Sequence, residues 1–333
     1  MRKLYALLTS CCILIAGTVQ SNELLFLSNH DGDLEIYVKN LTTGKTKQLT
    51  HNSLDDNQAT WSPDGKNILY SGRKLKGIEV YIMSSAGENK KHISKGLTGI
   101  NHSPSWSPDG QSIVFINQHV NTYSLYVYDV KKKTTSKVYS TDKDLKMPQW
   151  SVDSSFLTFI AYKGKTSHLH KLALATKTLS DLTTDQKEEI LNYTRHQHED
   201  KLYFSARRSK IINLFEINTI TGEEKKLTDL LTIDTEASVS PDGKSLAFLS
   251  ARNDQVRRQL FVSDLSAKKA KDITEQHIEI LEPSWRTDSK AIVYSKYHDN
   301  RFLIAIKDLA SGKEHLVTKD LKGYQYQPLF KPI

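Results

Sequence analysis

Residues 104–115 read Pro-Ser-Trp-Ser-Pro-Asp-Gly-Gln-Ser-Ile-Val-Phe, and this stretch decides the fold. A first strand closes at Trp106, and the Ile-Val-Phe run supplies the β-branched and aromatic residues that favour a second strand. Between them the proline presets φ, the aspartate bonds nearby backbone and the glycine takes a positive φ, which is the chemistry of a tight turn. The stretch therefore predicts a β-hairpin.

The same pattern recurs along the chain at intervals of about 45 residues. Each copy has an anchor position at the end of its predicted first strand, and the seven anchors are Trp61, Trp106, Trp150, Arg195, Val239, Trp285 and Phe330. A bulky residue recurs in the predicted third strand, at Tyr37, Tyr81, Tyr126, His170, Phe215, Phe261 and Ile304. A Leu-Thr type ending closes six of the copies, as in Leu49-Thr50. Four short strands in such a period are typical of a β-propeller blade.

The two ends of the chain complement each other. Residues 24–27 have the sequence of a second strand, whereas residues 327–332 align with the first-strand segment 103–108. We therefore predict that the C-terminal strand pairs with the N-terminal strands and completes the first blade, since an open ring leaves strands unpaired. The predicted fold class is all-β, a seven-bladed β-propeller of four-stranded blades, with six blades as the alternative. We expect residues 22–333 to form a single domain, and only Gln186 to Leu191 suggests a helical turn.

Residues 1–21 have the composition of a secretory signal peptide, with a basic start, an apolar run and a cleavage position before Asn22. Lipoprotein processing at Cys11 is the alternative. Cys11 and Cys12 are the two cysteines of the chain, so the part after the leader has no disulfide. No later apolar run is long enough to span a membrane. We therefore expect an exported, periplasmic protein without a transmembrane segment.

The charge balance does not indicate a nucleic-acid partner. Lys and Arg number 46 against 38 Asp and Glu, which gives a net charge of +8. The excess is spread over many turns, and this is the pattern of solvated turns rather than of a nucleic-acid surface. No motif of nucleophilic catalysis or phosphate binding stands in the sequence.

The Trp-Ser-Pro-Asp-Gly copies at residues 61–65 and 106–110, with Ser-Pro-Asp-Gly at 240–243, resemble the TolB-like propeller family, relatives of WD-repeat propellers. The resemblance covers nearly all of the chain after the leader. It implies a propeller fold and, by analogy with TolB, a periplasmic scaffold that meets a peptidoglycan-associated lipoprotein. Two features differ from TolB: the repeats start directly after the leader, without the α/β domain of TolB, and they number seven rather than six.

In a propeller, the first strand of each blade lines a central channel, and the loop that enters this strand forms one funnel mouth. Concave sites built from several loops are the usual place for a ligand. We therefore predict binding residues at the funnel mouth: Asp55, Asp56, Asn57, His102, Met147, Tyr193, Glu236, Glu282 and Tyr326. No catalytic residue, metal or cofactor is assigned.

Several motifs have a structural explanation that we favour over a chemical one. The aspartates Asp64, Asp109 and Asp242 are expected to serve hairpin turns. Asp31-Gly32-Asp33 with Glu35 hints at a cation loop but lacks the spacing of the known motif, so a turn is preferred. The pairs His168/His170 and His196/His198 alternate along extended segments, and packing is preferred over a metal site.

Two functional hypotheses follow. The first is an exported TolB-like propeller that acts as a scaffold and binds a protein or peptide partner in the cell envelope. The alternative is a propeller-fold enzyme, a lyase or hydrolase acting on an acidic polysaccharide. A metal near His102 or near the His168/His170 pair would favour the enzyme.

Overall fold

A computed structural model describes residues 22–332, apart from 185–187, 209, 229–231, 252–256 and 275–277. The predicted leader, residues 1–21, lies outside this described part. The described residues form 28 strands, numbered β1 to β28 in chain order, and no helix. Within the same residues, no segment is a helix long and apolar enough to cross a lipid bilayer.

The strands of the first half of the chain are β1 (Glu23–Ser28), β2 (Glu35–Asn40), β3 (Thr46–Gln48), β4 (Asp56–Trp61), β5 (Asn67–Lys74), β6 (Gly77–Ser84), β7 (Lys91–His92), β8 (Ile100–Trp106), β9 (Ser112–His119), β10 (Thr122–Asp129), β11 (Thr134–Thr141), β12 (Asp144–Trp150), β13 (Phe156–Lys163), β14 (Thr166–Ala173) and β15 (Leu179–Asp181). Those of the second half are β16 (Glu188–Arg195), β17 (Lys201–Arg208), β18 (Ile211–Asn218), β19 (Glu224–Lys226), β20 (Ile233–Val239), β21 (Ser245–Ala251), β22 (Gln259–Asp264), β23 (Lys271–Asp272), β24 (Ile280–Trp285), β25 (Ala291–His298), β26 (Arg301–Asp308), β27 (Glu314–Leu316) and β28 (Gln325–Phe330).

The strands assemble into seven four-stranded antiparallel blades. Blade 1 has the order β28-β1-β2-β3, and blades 2 to 7 follow along the chain, each with its first strand innermost. A single parallel bridge between Ile212 and Ile233 joins blades 5 and 6. Each innermost strand contacts that of the next blade, from β4 round to β28 and back to β4, so the seven inner strands form a closed ring. The seven inner strands end at the seven predicted anchors.

Blade 1 is completed by the two ends of the chain, as the sequence predicts. In the antiparallel pairing of β28 with β1, Leu24 lies opposite Phe330 and Leu25 opposite Leu329. Phe330 packs with Leu24, Phe26 and other residues of blades 1 and 7, whereas Leu25 packs toward blade 2. Alternate residues of β1 therefore seal the blade interface on each side.

The anchor tryptophans join neighbouring blades. The indole Nε1 of Trp61 donates a hydrogen bond to the carbonyl of Leu329 at 3.3 Å, and that of Trp150 donates to Ser105 at 3.1 Å. The Trp285 Nε1 donates to the carbonyl of Ser238 at 2.9 Å. Each acceptor stands one residue before the anchor of the preceding blade. Three of the four anchor tryptophans thus make the same inter-blade bond, whereas the indole N–H of Trp106 has no partner among the described residues.

The aspartates of the Ser-Pro-Asp-Gly segments serve turns, as predicted. The Ser107 hydroxyl donates to Asp109 at 2.5 Å, and Asp109 also accepts the backbone N–H of Gln111 at 3.0 Å. Gly110 has a φ of 68° at the position that needs a left-handed residue. The same serine–aspartate bond recurs in the turns at 62–65, 151–154 and 240–243.

The Leu-Thr endings also have a common geometry. The N–H of Ile36 donates to Thr50 Oγ1 at 2.9 Å, and the N–H of Leu49 donates back to the Ile36 carbonyl at 2.7 Å. The Thr50 hydroxyl thus adds one hydrogen bond to the sheet beyond the end of the short outer strand. The other blades with this bond place its hydroxyl at Ser94, Thr183, Thr228, Thr274 and Thr318.

The structure corrects two details of the sequence interpretation. The bulky position of blade 7 is not Ile304: its N–H donates to Thr318, as that of Ile36 does to Thr50, and Ala305 lies opposite Tyr294. The run 303–306 is apolar throughout and lacks an aromatic residue to mark the register. The suggested helical turn is also wrong, because residues 188–191 belong to β16, while 186 and 187 lie outside the described residues.

Replacing Phe330 by alanine tests the closure of the ring. We expect F330A to lower the free energy of unfolding by about 3–5 kcal/mol, the usual cost of truncating a buried phenylalanine. The measurement is chemical denaturation of F330A beside L75A, because Leu75 is 96% exposed on the β5–β6 hairpin. Equal stability of the two variants would contradict the closure.

Candidate functional site

The candidate site is the central channel together with the funnel mouth at the N-terminal ends of the inner strands. All seven inner strands run in the same direction around the ring, from the mouth to the anchors. The N-terminal ends of the strands and the loops that enter them therefore meet at one opening.

A β-bulge interrupts each inner strand. In six blades it includes a left-handed residue three positions before the anchor, with φ between 50° and 55°. These bulge residues are Gln58, Ser103, Met147, Glu236, Glu282 and Gln327. The corresponding residue of blade 5 is Asn192. A left-handed residue turns its side chain out of the regular alternation, so a bulge re-aims a side chain at the channel rim.

Several bulge side chains bond the backbone of the next blade. Gln58 Oε1 accepts the N–H of Ser103 at 2.8 Å. Glu236 Oε2 accepts the N–H of Glu282 at 3.0 Å, and Glu282 Oε2 accepts that of Gln327 at 2.6 Å. The rim of the channel is therefore held by side-chain-to-backbone bonds that cross blade boundaries.

The channel holds a cavity of about 740 Å³. Its wall is made of bulge residues at one end and anchors and turn prolines at the other, from blades 1 to 5: Gln58, Ala59, Thr60, Trp61, Pro63, Ser103, Pro104, Ser105, Trp106, Ser107, Pro108, Met147, Pro148, Gln149, Trp150, Arg195, Gln197, Gln327 and Pro332. Amide and hydroxyl groups alternate with apolar surface, which is the chemistry of a binding site rather than of a general acid or base.

A second cavity of about 330 Å³ lies at the mouth. Three of the predicted residues, Asp55, Asn57 and His102, line it together with Arg73. Burial lowers the pKa of the half-buried His102, whose Nδ1 lies 3.0 Å from the Ser103 hydroxyl. The mouth and channel cavities share Gln58 and Gln327, so the mouth opens onto the channel.

The other predicted mouth residues lie elsewhere or have structural partners. Met147 lines the channel cavity, and its carbonyl accepts the hydroxyl of the buried Tyr193 at 2.7 Å. Asp56 is buried and accepts the side-chain amide of Asn52 at 2.7 Å. The structure therefore does not bring these residues into one group.

The glutamates and the tyrosine on the blade 6, 7 and 1 side of the mouth also have local partners. Glu236 forms an ion pair with Arg258 at 2.9 Å. Burial raises the pKa of Glu282, and the nearby Glu236 carboxylate raises it further. Tyr326 lies 5.6 Å from the ring of Phe302, between ring centroids. These contacts give the residues a role in joining blades.

The rim outside the channel is charged with both signs. A cavity of about 690 Å³ between blades 3, 4 and 5 is lined by acidic residues that include Asp144 and Glu189 and by basic residues that include Lys146 and Arg207. Arg207 pairs with Glu189 at 2.7 Å. Mixed charge of this kind suits a complementary protein surface better than a single-sign polyanion.

The suspected cation loop is an exposed turn at Asp31 that leads into an acidic corner between blades 1 and 2, where Glu35 and Asp56 are buried. Asp31 accepts hydrogen bonds from Gln48 at 2.6 Å and from Tyr37, as a turn residue does. Glu35 is fully buried, and neither of its carboxylate oxygens has a hydrogen-bond partner among the described residues. Burial raises the pKa of Glu35 to about 7, the carboxylates of Asp56 and Asp33 raise it further, and nearby polar groups of Thr50 and Asn52 oppose the rise.

The histidine pairs are packed. His170 stacks on Phe159 with ring centroids 5.6 Å apart, and its Nδ1 lies 2.7 Å from Asp181. His196 and His198 contact the carbonyls of Gly243 and Pro241 in the turn of blade 6, each at 3.0 Å. Within the part of the chain that the structure describes, no three His, Cys, Asp or Glu side chains are grouped as metal ligands.

Sequence reasoning missed the bulge residues Gln58, Ser103 and Gln327 and the channel residue Arg195 as parts of the site. It selected Asn57, His102 and Tyr326 instead of the first three, each one residue too early. A constant offset of three residues before the anchor would have found the whole ring.

Replacing Glu35 by glutamine tests the acidic corner. The pKa of Glu35 is about 7 in the folded protein and 4.5 without burial, so its ionisation costs stability as the pH rises through this interval. We expect E35Q to be more stable than the wild type by on the order of 2 kcal/mol at about pH 8, and the difference to shrink toward about pH 4.

The matched control is E79Q, at the equivalent position of blade 2. Glu79 accepts bonds from Ser94 at 2.5 Å and Asn101 at 2.9 Å, so its replacement is expected to destabilise at about pH 8. Chemical denaturation at both pH values measures the four differences. A pH-independent effect of E35Q would contradict the assignment.

Comparison with known proteins places this architecture in a family. The TolB beta propeller domain family matches residues 18–144 and 117–332. Dipeptidyl-peptidase 5 of Porphyromonas gingivalis is 29% identical over 197 residues, which cover 52% of this chain but only 28% of that protein.

Solved structures agree on the fold. TolB from Acinetobacter baumannii superposes with a TM-score of 0.59 at 18% identity, over 95% of this chain and 81% of that one. Oligogalacturonate lyase from Vibrio parahaemolyticus superposes with a TM-score of 0.72 at 15% identity, over 88% of each chain. At such identities the likeness shows the fold alone. With the family match across most of its length, the chain belongs to the TolB β-propeller family.

Proposed function

We propose that this protein is a periplasmic propeller scaffold that binds a protein or peptide of the cell envelope at its funnel mouth. The observation that carries the proposal is the mouth cavity that opens onto a channel with a wall of amides, hydroxyls and apolar groups. A pocket of this size, with a few placed polar groups, is typical of a binding site.

The charged rim supports a protein partner. Acidic and basic side chains alternate around the mouth, with Asp55 and Arg73 on one side and Lys146, Glu189 and Arg207 on the other. Charges of both signs orient a partner and exclude wrong ones more than they add affinity. Membership of the TolB β-propeller family is consistent with such a role.

The enzyme alternative has less support from the described residues. Among the described histidines, only His102 lines either of the two cavities, and it lines the one at the mouth. Of the His168/His170 pair, His170 is engaged in blade 4, where Phe159 stacks on it. The likeness to the oligogalacturonate lyase is a likeness of fold, and it supports no residue-level assignment here.

The mouth is tested by reversing a charge on its rim. Arg73 is exposed, and its closest acidic contact is Asp55 at 4.0 Å, so R73E is expected to leave the fold intact. A partner is first identified by mild cross-linking in envelope extracts and mass spectrometry, then purified for binding assays. We expect R73E to weaken its binding about tenfold, a change of about 1.4 kcal/mol.

The matched control is K131E, in the exposed β10–β11 turn on the opposite face of the propeller. It changes the net charge equally and should bind as the wild type does. Equal loss in both variants, or none in either, would contradict binding at the mouth.

Export is tested by determining the N terminus of the protein after cell fractionation. Cleavage of a signal peptide predicts release by osmotic shock and a chain that starts at Asn22. Cys11→Ala and Cys12→Ala should both be processed normally. A lipidated N terminus, lost in Cys11→Ala alone, would show the lipoprotein alternative instead.

A further inference from the structure

Arg195 occupies an unusual place in the repeat. It stands at the anchor position of blade 5, where blades 2, 3, 4 and 7 have tryptophan. Its side chain lines the channel cavity, and it is the only charged residue among the described residues of the wall. The described lining of this cavity, from blades 1 to 5, therefore has one fixed positive charge and no fixed negative charge.

Among the described residues, no carboxylate forms an ion pair with this guanidinium. Its hydrogen bond among the described residues is from Nη1 to the carbonyl of His196, at a long 3.4 Å. Burial lowers the pKa of Arg195, and no acidic group contributes to the shift. An arginine stays protonated despite burial, so its guanidinium offers a permanent positive charge to an anion.

Several other half-buried or buried cations among the described residues are paired with carboxylates, whereas Lys171 and Arg301 are held by backbone carbonyls at 2.9 Å and 2.6 Å. Lys39 lies 2.9 Å from Asp320, Lys296 lies 2.5 Å from Glu314, and Arg258 contacts two glutamates. A charge removed from water without a partner costs free energy, so such groups are normally paired or held for a ligand. Arg195 has neither a carboxylate partner nor a short carbonyl contact among the described residues, and the channel cavity lies beside it.

We propose that Arg195 binds a carboxylate of an extended peptide inside the channel. This inference rests on the proposed function and names the chemistry that the channel recognises. The guanidinium fork matches a carboxylate in two parallel hydrogen bonds. It lies three residues beyond Asn192 on β16, roughly 10 Å from the bulge ring along the strand. The ligand therefore reaches well past the mouth.

The rest of the wall favours a peptide over a sugar acid. Gln197 offers an amide group, and Gln149 a side-chain carbonyl beside its donor bond to Tyr193, and both groups can pair with a peptide backbone. The rings of Trp61 and Trp150 are buried in the blade interfaces, and their indole N–H groups are used there. These two rings are therefore not free to stack on a sugar ring, so Trp106, which is half-buried and has no partner for its indole N–H among the described residues, is the ring that the trigalacturonate probe tests.

The test uses small probes with the purified protein, and ligand-observed NMR gives the dissociation constants. The probes are N-acetyl-trialanine with a free carboxylate, the same peptide as its amide, N-acetyl-Ala-Asp-Ala amide, and trigalacturonate. We expect the two carboxylate peptides to bind, the trialanine amide to bind about tenfold or more weakly, and added salt to weaken the carboxylate peptides.

Two variants remove the charge. R195Q keeps a polar side chain, and R195W restores the tryptophan of the other anchors, so R195W is expected to fold even where R195Q does not. Both should lose carboxylate binding by about tenfold or more. The control K131Q removes a positive charge from the exposed β10–β11 turn, outside the channel lining, and should bind as the wild type does.

The outcomes separate this inference from the proposed function. Equal binding of the free-carboxylate peptide and its amide, or unchanged binding by R195W, overturns the inference. Binding of trigalacturonate without binding of the peptides would show that the bound carboxylate belongs to a sugar acid and not to a peptide, and would overturn the inference. A partner that is captured by wild type and R195W alike, but not by R73E, leaves the mouth function standing while the channel inference fails.

Discussion

The contact between neighbouring blades is the interaction on which the structure depends. A four-stranded blade has two faces, and each must be covered by another blade because its alternating apolar residues are exposed otherwise. In blade 1, Leu24 and Phe26 pack toward blade 7 while Leu25 and Leu27 pack toward blade 2. An open row of blades leaves one uncovered face at each end, whatever the number of blades. Only a closed ring covers every face. The strand from the C terminus supplies the inner edge of blade 1 and removes the last uncovered face.

Closure also determines what the channel looks like. The inner strands stand side by side around the axis, and their bulges place Gln58, Glu236 and Glu282 where each side chain reaches the backbone of the next blade. Some side chains that the sequence offers as candidate binding groups are thus engaged in hydrogen bonds between blades. What remains for a ligand is the wall below the bulges, together with the mouth residues Asp55, Asn57 and His102.

The positions where the repeat is broken are the informative ones. Where Trp61 and Trp150 send an indole N–H to the preceding blade, blade 5 presents a guanidinium to the cavity instead. In blade 3, Asn101 donates an amide hydrogen bond to Glu79 of blade 2. The equivalent residue of blade 2 is Asp56, which faces Glu35 of blade 1, and the pKa of the buried Glu35 carboxyl is raised. A repeat protein reuses one solution at every interface, so a departure that leaves a charge uncompensated points to a local role.

The sequence by itself determined the blade period, the seven anchors, the turn chemistry of Asp109 and the completion of blade 1 by β28, because these depend on local patterns repeated many times. The bulky position of blade 7 was misjudged at Ile304, since a run of apolar residues does not mark its own register. Only the tertiary structure decided which mouth residues face a cavity. Glu282 and His102 look alike as candidates in the chain, but one bonds the next blade and the other lines the mouth. The physical reason is that a left-handed bulge redirects side chains, and their partners lie about 45 residues away on a neighbouring blade.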